Sequence, residues 1–228
     1  MNRPVGTGPG AITEDGCAVD VYLKFPVTGE PDLVHANVPE GASVLDLGAG
    51  VGRVADPLAR LGHRVVAVDE SAEMLAHVQV AEPVLSRIED LALGERFGAV
   101  LMASHLANVP DVAERRALFA AAARHLKPTG TVFVQWHDPE WFATLTPGTT
   151  PPSRLGPVTT WLDVHSVDGG LLDATVHYSA DGNEWTQSFT AARVGEERLS
   201  ADLAACGLGF GRYLTANRTW FSAHAVQQ

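Results

Sequence analysis

Apolar and polar positions along this chain follow two rhythms. Between residues 43 and 136, short runs rich in valine and leucine alternate with amphipathic stretches. Residues 43–47, 64–69, 97–103 and 130–136 read as buried strands, and 83–87 as a weaker one. Residues 52–61, 71–80 and 111–126 read as helices, and Lys127-Pro128-Thr129-Gly130 as a helix stop plus turn. Alternating strands and helices predict an α/β fold whose parallel sheet is covered on both faces. After Trp141 the rhythm changes. Thr146-Pro147-Gly148, Pro151-Pro152 and Gly156-Pro157 predict a loop or lid over 146–158. Period-2 runs then span 159–167, 171–179 and 184–194. Asp168-Gly169-Gly170 and Ala180-Asp181-Gly182-Asn183 separate them with hairpin chemistry, which predicts an antiparallel β meander. Residues 196–206 read as a helix stopped by Gly207, and 211–216 and 219–225 as two last strands. Ahead of the first strand lie a short helix near 20–24 and another at 31–38. The expected organisation is one domain: an N-terminal arm (1–40), a core (41–145), a lid or β insertion (146–194), and a closing helix and hairpin (195–228).

Composition narrows the function. The 228 residues are 46 % hydrophobic and carry a net charge of -11, with only 16 Lys and Arg. No basic cluster is present to hold nucleic acid through its phosphates. No apolar run reaches membrane-spanning length. Arg3 has no apolar stretch beside it of the kind a signal peptide needs. Cys17 and Cys206 lack the spacing of a zinc site or a disulfide framework. These features predict a cytoplasmic protein that needs no metal.

The most informative stretch is Val44-Leu45-Asp46-Leu47-Gly48-Ala49-Gly50-Val51-Gly52-Arg53. A strand ends there in a glycine-rich turn that opens a helix. A dinucleotide fingerprint wants a glycine at 53, where Arg stands. Asp46 would also repel a pyrophosphate on the helix N-terminus, but would suit an ammonium or sulfonium ligand. Nineteen residues after Gly50, Val65 to Asp69 reads as a second buried strand ending in an acid.

This set resembles motif I and the following acid of the class I S-adenosylmethionine-dependent methyltransferases, of the bacterial small-molecule type. The resemblance covers about 43–137 and the closing helix and hairpin. It implies a Rossmann-like, doubly wound, mostly parallel seven-stranded sheet with an antiparallel last hairpin. It implies S-adenosyl-L-methionine as cofactor, S-adenosyl-L-homocysteine as product and a small-molecule acceptor methylated on oxygen or nitrogen.

The resemblance also assigns roles by position. Gly48, Ala49 and Gly50 would approach the methionine part of the cofactor, and Asp46 would hold that end through water or its ammonium. Asp69 would take the ribose hydroxyls, and Glu70 opens the next helix. Met74 would pack on adenine, the Ile88 backbone N–H would meet an adenine nitrogen, and Glu89 or Asp90 would accept from the exocyclic amine. Arg87 departs from the acid often found at its place. Tyr22 resembles an arm tyrosine that closes over the sulfonium. Ser104 and His105 end the fourth core strand, where the family places its reaction-facing motif. His105, with an unperturbed pKa near 6.5, and His137, at the end of the fifth, are candidate general bases. Trp136 reads equally as core or substrate wall. The arm and 146–194 vary with substrate in the family. Trp161, Tyr178, Trp185 and Phe189 make the meander a core or a homodimer face. Two other readings stay open: a cofactor-binding module without transfer, and an NAD-type oxidoreductase, against which Asp46 and Arg53 speak.

Overall fold

A computed structural model of the protein describes residues 5–226; the first four residues of the arm, Arg3 included, lie outside them. The chain begins with β1 (Val5–Thr7), α1 (Val19–Tyr22), α2 (Glu30–His35), β2 (Ser43–Leu47), α3 (Ala55–Arg60) and β3 (Arg64–Asp69). It continues with α4 (Ala72–Leu75), β4 (Glu82–Leu85), β5 (Phe97–Met102), α5 (Val112–His125), β6 (Leu126–Gln135) and α6 (Pro139–Ala143). It closes with β7 (Gly148–Thr149), β8 (Ser153–Leu155), β9 (Val158–Asp168), β10 (Leu171–Ala180), β11 (Asn183–Ala192), α7 (Glu196–Ala205), β12 (Leu208–Tyr213) and β13 (Trp220–Ala225).

One sheet has seven strands in the order β12-β13-β6-β5-β2-β3-β4. The strands β6, β5, β2, β3 and β4 run parallel, and β13 and β12 return antiparallel. Alternation assigns the faces. Leu45, Leu47, Val66, Val68, Val100 and Met102 pack with Phe119 and Leu203 against α5 and α7. Val44, Val65, Ala67, Ala99 and Leu101 pack with Val34 and Leu58 against α2 and α3. The chain builds β2, β3 and β4 outward, then crosses back so that β5 lies against β2. That reversal opens a crevice beyond the carboxyl ends of β2 and β5.

The second sheet is antiparallel, with order β1-β11-β10-β9-β7 and β8 also on β9. The meander is as expected, but the arm joins it. Thr7 pairs with Thr186, Trp185 donates its indole N–H to the Pro9 carbonyl (2.8 Å), and Lys24 meets Asp181 (2.7 Å). The expected loop at 146–158 is likewise taken up in part as β7 and β8. Both edges of the meander are therefore covered by short strands.

Four expectations need correction. The helix expected over 71–80 ends at Leu75, because Asp56 captures the backbone N–H groups of Gln79, Val80 and Ala81 (2.8–3.0 Å). The turn expected at 127–130 lies inside β6: Phe97 pairs with Leu126 and Ala99 with Thr131, so the extra residues bulge from the ladder. The first strand of the last hairpin spans 208–213, not 211–216, and the helix expected from 52 begins at Ala55 after a turn.

A buried ion cluster ties α5 to α7. Asp202 has no exposed surface and accepts from Arg115 Nε (2.9 Å), Arg115 Nη2 (2.6 Å) and Arg116 Nε (2.7 Å). Burial raises the Asp202 pKa, but the two arginines outweigh it and hold the carboxyl below its usual range. Removing one partner leaves a charge buried alone. Asp202→Ala is therefore expected to cost about 3–5 kcal/mol of stability. Urea denaturation checks it; a loss below about 1 kcal/mol contradicts it.

Candidate active site

The loop after β2 forms one wall of the crevice. The Gly48 and Ala49 N–H groups both donate to the Val68 carbonyl (2.9 Å each), which folds the loop back over β3. Gly48 and Gly50 have φ of 74° and 56°, which a side chain would strain. A Cβ on Gly50 would meet nothing nearer than Met74 Sδ at 4.0 Å, so the space above the loop is open to a ligand.

Asp46 falls on the α3 face of β2 and is 1 % exposed. Its Oδ1 is buried with no hydrogen-bond partner. Burial pushes its carboxyl up to about 7, the Arg53 charge opposes this, and the Asp69 charge adds to it. A buried carboxylate oxygen without a partner is what an ammonium would satisfy. Asp69 ends β3 and accepts N–H from Gly50 (2.8 Å, Oδ2) and from Ser71 (3.0 Å, Oδ1). Each oxygen keeps a lone pair for a further donor. Burial raises the Asp69 pKa and these two amides partly offset it. Burial also raises that of its neighbour Glu70, with Arg87 opposing.

Ser71 caps α4 through the Met74 N–H, which turns Met74 toward the glycine loop. Met74, Val51 and Val19 form a small cluster with Tyr22 and Cys17. The arm therefore lies on the loop, with Tyr22 accepting from Cys17 Sγ (3.3 Å). Arg53 explains its departure from glycine: it donates to Glu30 (2.7 Å) and to the Pro26 carbonyl (3.2 Å), fastening arm to loop. The Ile88 side chain approaches Gly48. Glu89 beside it is engaged by Arg87, its own near neighbour.

The other wall comes from β5 and β6. Ser104 and His105 follow β5 with φ of 58° and 61°, two successive residues in the left-handed region without being glycine. Such strain costs about 1–3 kcal/mol each and gathers at functional sites. The Ser104 N–H is held by Gln135 Oε1 (2.9 Å). His105 stacks on His137 (centroids 3.6 Å apart, 6° between planes), and His137 stacks on Trp141 (3.9 Å, 15°). Burial lowers the His105 pKa to about 4, against a weaker opposing hydrogen bond to the Trp136 backbone. Burial and the His105 charge lower that of His137 to about 3. The ordinary value near 6.5 is thus corrected for both. A cavity of about 530 Å³ opens here, lined by His105, His137, Trp141, Asp138, Asn217 and Arg218. Trp136 is core: it has no exposed surface and donates its indole N–H to the Arg218 carbonyl (2.6 Å).

Two residues of this wall escape a local reading. Arg218, at the tip of the β12–β13 hairpin, meets Asp138 (3.0 Å) and lies over the Tyr213 ring (4.4 Å). Asn108 is 2 % exposed and bonded to His137 after β6 and to the Ala192 carbonyl at the end of β11. Arg218 had a trace in the Asn217-Arg218 turn, but its contacts with Trp136 and Asp138, just after β6, are long-range. In the insertion, Tyr178 and Trp185 are buried with Phe25 of the arm, whereas Trp161 stacks on His177.

The chain is also similar to known proteins. The family described as Methyltransferase domain matches residues 45–134. The cypemycin N-terminal methyltransferase of Streptomyces sp is 36 % identical over 141 residues, covering 56 % of this chain and 58 % of that protein. The ubiquinone biosynthesis O-methyltransferase of Xanthomonas campestris pv. campestris is 37 % identical over 157 residues, 63 % of each. The chain thus spans less than two thirds of these curated relatives. The CcbJ methyltransferase of Streptomyces caelestis shares the fold across 92 % of this chain and 96 % of its own, with TM-score 0.75 and 24 % identity. Residues 45–134 thus match a methyltransferase domain, and the chain is similar to S-adenosylmethionine-dependent methyltransferases, small-molecule O- and N-methyltransferases among them.

The position of Asp46 has a thermodynamic consequence. Its pKa is about 7 when folded and about 4 when unfolded. Between those values the folded chain holds a proton that the unfolded chain has released, so stability falls as pH rises through the window. Asp46→Asn should raise the melting temperature of the ligand-free protein at pH 8 and leave it nearly unchanged at pH 4. An equal change at both pH values would show that the charge of Asp46 is not the cause.

Proposed function

We propose that this protein transfers the sulfonium methyl of S-adenosylmethionine to an oxygen or nitrogen of a small molecule held in the His105–His137–Trp141 cavity. The observation that carries this reading is the buried, unpartnered Asp46 carboxylate oxygen beneath an open glycine loop, at the same edge of the sheet as the cavity. The parallel strands place both at their carboxyl ends.

The residues divide the work. Asp46 receives the cofactor's ammonium, and the Gly48–Gly50 backbone leaves room for its methionine part. Asp69 takes the ribose hydroxyls while its amide bonds hold the loop. Met74 and Ile88 flank the adenine, Glu70 and Glu89 lie toward its rim, and Tyr22 covers the sulfonium from the arm. Bound there, S-adenosylmethionine supplies an already electrophilic methyl group. The protein then needs to position a nucleophile in line, about 3 Å away. His105 and His137 are neutral at physiological pH, and His105 Nδ1 is buried without a partner. That lone pair orients the acceptor's O–H or N–H and receives its proton as the methyl bond forms. Ser104 sets the backbone strain that aims His105.

The surroundings fit a small acceptor. Asp138 and Glu140 line the cavity with one arginine, a poor surface for phosphate chains and hence for nucleic acid. Among the described residues no helix is long and apolar enough to cross a membrane. Both cysteines are free, which suits the cytoplasm. A homodimer through the insertion would use the face bearing Trp161 and His177, since its edges are covered.

S-adenosylhomocysteine should bind at low-micromolar Kd or better, roughly 8 kcal/mol. Calorimetry that finds no binding of it or of S-adenosylmethionine up to millimolar overturns the reading. With a methyl acceptor, the acid limb of turnover should fall near pH 4, not near 6.5, because burial keeps His105 neutral to that pH. His105→Ala should slow turnover by about 10²–10⁴-fold. An acid limb near 6.5 that survives His105→Ala would remove His105 from proton transfer.

A further inference from the structure

We propose that Asn108 is the positioning residue that keeps the His105–His137–Trp141 stack in register with the seat of the 146–194 insertion. What the stack does rests on the methyl-transfer reading above; the geometry of Asn108 stands apart from it.

Asn108 is buried, so it acts through its neighbours and not by touching an acceptor. Its backbone N–H donates to the His105 carbonyl (2.8 Å), closing a 3-10 turn over Leu106–Asn108. Its side-chain Oδ1 accepts the His137 N–H (2.7 Å). Its Nδ2 donates to the Ala192 carbonyl (3.0 Å) and, at longer range, to the His137 carbonyl (3.4 Å). One residue thus grips both histidines and the last residue of β11, where the insertion re-enters the core.

Each group is needed. Without Oδ1 the part-buried His137 N–H has no acceptor, and without Nδ2 the Ala192 carbonyl has no side-chain donor. A hydrophobic residue of the same size would orphan both. The grip also opposes strain. Ser104 and His105 hold left-handed backbone that residues with a Cβ avoid, and a bond onto the His105 carbonyl resists its relaxation. Movement of the insertion's last strand is thereby coupled to the placement of the imidazoles, through a single amide.

Two variants separate the two ties. Asn108→Ala loses both. Asn108→Asp keeps an acceptor for the His137 N–H and loses the donor to Ala192. Proton NMR of the histidine rings reads the stack, because the Trp141 indole 3.9 Å away shifts the His137 ring protons upfield. Amide hydrogen exchange over 190–194 reads the insertion's seat. In Asn108→Ala the upfield shift should be lost and exchange should quicken. In Asn108→Asp the shift should remain while exchange quickens. Affinity for S-adenosylhomocysteine should stay within about twofold in both, and kcat per folded molecule should fall about 10–100-fold in Asn108→Ala, as small misplacements cost.

Unchanged ring shifts in Asn108→Ala, or a kcat that falls only with the folded fraction, would overturn the proposal. If Asn108→Ala does not fold, unchanged exchange over 190–194 in Asn108→Asp overturns it instead. If the wild-type protein transfers no methyl group, the functional reading fails, while ring shifts and exchange still decide the role of Asn108.

Discussion

Everything at the candidate site depends on β5 lying against β2. A parallel sheet buried on both faces leaves its polar chemistry no place but the strand ends. The order β6-β5-β2-β3-β4 then parts the loops after β2 and β5 to opposite sides, and the gap between them is the site. The contacts across that junction are apolar and dense, from Leu45 and Leu47 to Val100 and Met102. Asp46 is the exception within that junction. Its carboxylate is held where water cannot reach, a position that weakens the empty protein and suits it to a positively charged guest.

The rest of the molecule forms a cover for this edge. The arm and the insertion are far apart in the chain, yet they make one sheet, because β1 completes the edge that β11 would otherwise leave bare. Arg53 and Glu30 fasten that cover to the glycine loop, and Asn108 fastens it to the histidine stack. Contacts on both sides of the crevice therefore converge on the same cover, and neither wall is independent of it.

Much of this was legible along the chain. The parallel core could be read because buried strands and amphipathic helices differ in period, and the meander because Gly-Gly and Asp-Gly turns mark hairpins. The cofactor loop stood out through its glycines and its two acids. What escaped were features set by distant partners. Asp56 ends a helix that its own residues would have continued, by taking amides more than twenty positions away. The histidine pKa values follow from stacking and burial that no spacing shows. Asn108 and Arg218 look like ordinary loop residues until the turns that carry them meet β6. Strand β1 has too few residues to announce itself and exists because β11 receives it.

That last pairing bears on how the protein comes into being. Thr7 and Thr186 touch across 179 positions of chain. A ribosome adding about 5–20 residues per second needs on the order of 10–40 s to make the second after the first. During that interval Val5–Thr7 has no partner strand, while the whole of β2 to β6 has already been synthesised. The parallel strands that carry the glycine loop are therefore made first, the cover follows, and β12 and β13 complete the sheet last. Newly made protein thus passes through a stage in which the glycine loop has been synthesised but neither the cover nor the hairpin tip that bears Arg218 has.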